Sequence, residues 1–168
     1  MANSQWYIGT PNGVVVCVDH FEKQQMAGRF YHAYCSGPLS FVNEVQLIFQ
    51  LEHFFDEIRF PHPTTNSRTF AKEKPGVEIR CGGQRVMSDD ELLSRHGDLG
   101  TFIIRVQHRQ NSSWQGHVTW MEQNRTIHFR SIWEMIKLIE SAVDTVSEPE
   151  DAGEEPAWDD KTDAKQQD

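Results

Sequence analysis

Two stretches of the chain alternate apolar and polar residues with a period of two. In residues 14–20 the apolar positions are Val14, Val16 and Val18, and in 101–108 they are Phe102, Ile104 and Val106. Such alternation marks a strand with one buried face. A polar connection follows each stretch, and then a glycine, Gly28 or Gly116, expected to open a second strand over 28–34 or 116–122. Turn-forming residues come next: Ser36, Gly37 and Pro38 in one case, Gln123, Asn124 and Arg125 in the other. They lead into short third strands over 39–41 and 126–129. The period then becomes helical. Ser131 and Glu134 have capping-box spacing, in which a hydroxyl and a carboxylate each satisfy a first-turn amide, and Asn43 and Gln46 have the same form. Val45, Ile48, Leu51 and Phe55 are predicted to line the buried face of one helix, and Trp133, Ile136, Ile139 and Val143 that of the other.

The two series share one offset. Adding 88 carries Val18 to Val106, His20 to His108, Gly28 to Gly116, Phe41 to Phe129, Ile48 to Ile136, Glu52 to Glu140 and Asp56 to Asp144, with no gap between 14–58 and 102–146. One helix covers only part of a sheet, so a lone βββα unit cannot close a core. The expected fold is therefore α+β: a tandem βββα repeat forming a pseudo-twofold antiparallel sheet with two helices packed on one side. Residues 1–146 are read as a single domain, with repeat one at 14–58, a linker at 59–100 and repeat two at 101–146. Within the linker, 77–80 suggests an extra edge strand. Ser88 and Glu91 form another capping box, starting a short helix expected to end at Gly97.

Charge changes the picture at one end only. The net charge of −9 over 168 residues is concentrated after position 146, where nine acids and two lysines leave −7. Residues 147–168 also carry Pro149, Gly153 and Pro156, and are expected to form a disordered acidic tail because they cannot bury enough apolar area to offset ordering. The longest apolar run, 14–18, is far short of the roughly 20 residues that span a bilayer. With no basic, apolar leader at the start, a cytoplasmic location is expected.

Catalytic chemistry finds little support. Cys17, Cys35 and Cys81 are too widely spaced for a zinc knuckle and odd in number for a disulfide framework, so free thiols are expected. Eight histidines offer no i, i+4 pair on a predicted helix, and neither a nucleophile elbow nor a Gly-rich phosphate loop is present. No catalytic residue, metal ligand or cofactor is assigned, which leans against an enzyme.

The aromatic and basic residues carry more. Trp114, placed in a hairpin connection over 109–115, is either a staple packing on Val118 and Trp120 or an anchor for a partner. Trp120 and Trp133 are read as core. Opposite the apolar strand face, Arg105, Gln107, Arg109, His117 and Thr119 make a polar, mildly basic surface. The corresponding residues of the first unit, Val15, Cys17, Phe21, Tyr31 and Ala33, are apolar and need a cover: the linker, residues 6–8 or a second chain.

The stretch from Phe102 to Trp120, followed by Phe129, Arg130, Ser131 and residues 134–139, resembles a family of small bacterial proteins from anaerobic Gram-positive organisms. The likeness is close over about 45 residues and loose in the first half, and it implies a shared fold without implying an activity or a site. In topology, paired units of strands plus a helix also resemble the Whirly and Pur-type single-strand nucleic-acid binders. The leading expectation is a non-enzymatic binding or adaptor domain, self-associating through a sheet edge or outer face, or engaging a protein partner. The alternative is a single-stranded nucleic-acid binder with Tyr31 and Trp114 stacking on bases and Arg29, Arg105 and Arg109 holding phosphates. Against it, residues 1–146 carry a net charge of only −2.

Overall fold

The computed structural model describes residues 8–71 and 83–147. The expected edge strand at 77–80, Cys81 and the tail beyond Ser147 lie outside the described residues. The elements are β1 (Val14–Glu22), β2 (Gln25–His32), β3 (Leu39–Phe41), α1 (Glu44–Glu57), α2 (Asp89–Leu93), β4 (Gly100–Gln110), β5 (Ser113–Trp120), β6 (Arg125–Phe129) and α3 (Ile132–Ser147). The fold is α+β. Six antiparallel strands run in the order β3-β2-β1-β4-β5-β6, so the sheet is joined at its middle by β1 against β4, with Val16 opposite Phe102.

Both hairpins turn in two residues. Lys23 and Gln24 have φ of 51° and 61°, and Asn111 and Ser112 both have φ of 55°. Two successive left-handed residues match the twist of the flanking strands. Trp114 is thus not in a connection but is the second residue of β5. Nor do Gly28 and Gly116 open their strands. Each lies inside one, opposite Val18 and Val106 respectively. A Cβ at Gly28 would stand 2.0 Å from the Cys17 carbonyl oxygen, and at Gly116 it would stand 2.0 Å from that of Arg105. Only glycine admits so close a backbone.

Beside these glycines the register slips by one residue, between Val18 and His20 in β1 and between Val106 and His108 in β4. A slip of one residue exchanges the faces of everything beyond it. Phe21 therefore packs against the helix-side core instead of lying on the outer face, and Arg109 turns toward the helices.

The main core lies between the sheet and α1 with α3. Val14, Val16, Phe30, Phe102, Ile104 and Val118 meet Leu47, Leu51 and Phe55 of α1 and Met135, Ile139 and Val143 of α3. A smaller core forms on the opposite face, where Val15, Cys17, Tyr31, Ala33 and Ile103 are covered by Ile8, Met87 and Leu92. The cover is the chain itself, held by the amides of Val86 and Met87, which donate to the Ala33 carbonyl at 2.7 and 3.1 Å. Burial pushes the Cys17 thiol up to about 12, so it packs as a small inert hydrophobe. The linker helix has the full capping box at Ser88 and Glu91, but ends at Leu93 with Ser94 as its cap; Gly97 lies further on, against the Val18 backbone.

Candidate functional site: the cleft between the long helices

Both long helices begin with the same local chemistry. The Asn43 side chain accepts from the Gln46 amide while the Gln46 side chain accepts from the Val42 amide. Ser131 Oγ accepts from the Glu134 amide, and Glu134 accepts from the Arg130 amide. The reciprocal bond thus reaches one residue further back than in a standard capping box.

With these starts, α1 buries Leu47, Leu51, Phe54 and Phe55, and α3 buries Met135, Ile136, Ile139, Ala142 and Val143. The buried stripe of α1 is rotated from the expected one, and Val45 turns outward. Val42, Val45 and Phe49 are 66%, 59% and 70% exposed, spaced to form a second apolar stripe on the solvent side. Trp133, expected in the core, is 69% exposed, with Lys137 Nζ 5.1 Å from its ring centre. Between α1 and α3 runs an open cleft of about 950 Å³, with Ile48 and Ile136 lining it beside Val45 and Trp133. Its charged lining is Glu44, Glu140, Asp144 and Lys137.

One residue proposed for nucleic acid instead locks the helix layer down. Arg109 is buried, and its Nη1 donates to Asp56 Oδ1 at 2.6 Å and to Glu52 Oε1 at 3.2 Å, while Nε donates to the Pro61 carbonyl at 2.7 Å. Trp114, its cross-strand partner, is 1% exposed. Its indole N–H donates to Glu52 Oε2 at 2.7 Å, and its ring meets Phe55 edge-on at 5.3 Å. The wall it packs on is thus α1, on the far side of the core from where Val118 and Trp120 were expected to serve.

Arg29 makes a two-pronged ion pair with Asp19 at 2.8 and 3.0 Å and donates to the Tyr31 hydroxyl at 2.9 Å. Burial alone would raise the Asp19 carboxyl. The Arg29 side chain and the Asp98 amide overcome it and hold the group below the usual carboxylate range. Tyr31 is buried in the smaller core with Arg95 over its ring at 5.0 Å. Arg105 lies on the outer sheet face in one cross-strand row with His117 and His128. The five candidate residues therefore form no single site: Arg109 and Trp114 meet under α1, Arg29 and Tyr31 meet on the opposite sheet face, and Arg105 lies in a different cross-strand row from both pairs.

His32 is buried and stacks on Phe54 with ring centres 4.0 Å apart, its Nδ1 accepting from the Tyr34 amide at 3.2 Å. Burial pushes it down from the ordinary 6.5 to about 4. The folded state thus takes up its proton later than the unfolded chain does. The stability this neutral imidazole contributes is complete above pH 6.5 and drains away as pH falls toward 4, a loss of about 2–3 kcal/mol. His32→Phe should flatten the stability profile over that interval relative to wild type, as read by denaturant melts at several pH values. Equal slopes in the two proteins would remove His32 as the cause.

Among the described residues, no group of three His, Cys, Asp or Glu side chains is placed to hold a metal ion, and no helix is long and apolar enough to cross a membrane. Comparison with protein-family models, curated proteins and solved structures gives no match.

Proposed function

We propose that the chain is a non-enzymatic binding or adaptor domain whose contact surface is the helix layer. The observation that carries this is an open cleft lined by the exposed Val45 and Trp133, with Val42 and Phe49 exposed beside Val45 in an adjoining depression. Single exposed apolar residues are ordinary, but a contiguous set beside a groove is what partner surfaces look like. The helix layer is preferred to the outer sheet face as the contact surface, since Ile8, Met87 and Leu92 pack over the apolar patch there. A nucleic-acid reading would need stacking aromatics, and both of its candidates are buried.

We also infer that the domain is a tandem βββα duplication about a pseudo-twofold axis. What supports it is the recurrence, at the same offset, of the left-handed turns, the register slips, the closely packed glycines opposite Phe41 and Phe129, and the shifted caps. In this reading the cleft lies on the axis, flanked by Val45 and its counterpart Trp133.

The binding reading is tested by placing a photo-crosslinking amino acid at position 133 in producing cells. It predicts a discrete covalent adduct from that site.

A further inference from the structure

We propose that the cleft between α1 and α3 receives an apolar, arginine-bearing segment of a partner protein, with a guanidinium seated between Glu140 and Asp144. The proposal rests on the binding reading above and adds the chemistry of the partner. Ile48, Val45, Trp133 and Ile136 offer the apolar contact. The charged lining of the cleft is acidic, with Glu44, Glu140 and Asp144 against a single lysine, Lys137.

The molecule holds an occupied version of the same arrangement. On α1, Glu52 and Asp56 stand one helical turn apart and grip the guanidinium of Arg109, which the β4–β5 hairpin supplies together with Trp114. On α3, Glu140 and Asp144 have the same spacing, and the positions matching Arg109 and Trp114 are held by Phe21, which lines the cleft with Gln24, and by Met26, paired with Phe21 across the hairpin. Neither the Phe21 nor the Met26 side chain carries a proton donor, and the Met26 amide donates to Glu44 at 2.6 Å. Among the described residues, Glu140 and Asp144 have no ion-pair or hydrogen-bond partner. Asp144 lies in the last turn of α3, where the backbone dipole already places partial negative charge, and that turn holds no basic residue. On α1 Arg109 relieves that cost at Asp56, whereas among the described residues no cation pairs with Asp144.

Charge also selects the occupant. The 21 residues after Ser147 hold nine acids and two lysines, so the chain's own tail would meet like charge. A second copy docking through the same layer would bring the same carboxylates. A basic partner segment is what complements the cleft, through apolar contact along the helices and paired charge-assisted bonds to Glu140 and Asp144.

The test uses the full chain and two synthetic amphipathic peptides: one with arginines along the edge of its leucine face, and a copy with each arginine replaced by citrulline, which keeps shape and removes charge. Calorimetry and amide-shift mapping should place the arginine peptide against Ile48, Trp133, Ile136, Glu140 and Asp144. The citrulline copy should bind at least about tenfold more weakly. The double variant Glu140→Gln, Asp144→Asn should melt no lower than wild type and erase the difference between peptides. Trp133→Ala should weaken both. Equal binding of the two peptides, a shift map outside the cleft, or no binding by either overturns the proposal. If position 133 still crosslinks to a protein in cells while neither peptide binds, the binding reading stands and the arginine claim alone falls.

Discussion

Trp114→Ala should lower the unfolding free energy by about 3–5 kcal/mol, the usual range for a buried aromatic truncated in a core. The residue joins the second hairpin to the first helix through its contact with Phe55 and its bond to Glu52. Truncation opens a cavity under α1 and removes a donor from a carboxylate that also holds Arg109. Trp114→Phe separates the two contributions: it keeps most of the ring and loses the N–H, and should cost only about 1–2 kcal/mol. Because Trp114 is 1% exposed, neither change should alter binding by the folded protein at the cleft. Guanidinium melts give the stabilities. A loss below about 1 kcal/mol for the alanine variant would contradict the packing described.

Gly28→Ala and Gly116→Ala should each cost at least about 3 kcal/mol, more than overpacking with a methyl group ordinarily does. At both sites the new Cβ would meet a carbonyl oxygen of the neighbouring strand at 2.0 Å, and backbone in a paired strand cannot step aside as a side-chain tip can. Relief would require opening the register slip beside each glycine, which holds Phe21 and Arg109 on the helix side. Two similar losses are expected on the duplication reading. A variant that melts like wild type at one site and not the other would count against the equivalence of the two hairpins.

The elements were readable because alternation, capping residues and the change of period all pointed the same way, from Val14 through the cap at Ser131. What escaped reading follows from two local devices. A two-residue left-handed turn usually announces itself with Asn-Gly or a similar pair, and Lys23-Gln24 contains neither residue. The register slips were hidden too, and period-two counting carried through them assigns Phe21 and Arg109 to the wrong face. A signal for Arg109 did exist. Glu52, Asp56 and Glu57 crowd the C-terminal half of α1 with no basic residue in its last turn, an unfavourable placement that asks for a cation from elsewhere. The cleft was missed for a related reason: Val45 and Trp133 fit a helical apolar period, and periodicity alone does not say which of two apolar stripes meets the sheet.

The most direct test of the binding surface is the comparison of crosslinking positions in the cell. The photo-reactive residue is placed at position 133 or 49 on the helix layer, or at exposed position 107 on β4 as control. A discrete protein adduct from 133 and 49, absent from 107 and lost when Val45→Asp is added, is the predicted result. Adducts from 107 with none from 133 or 49 would contradict the account and move the contact surface to the sheet.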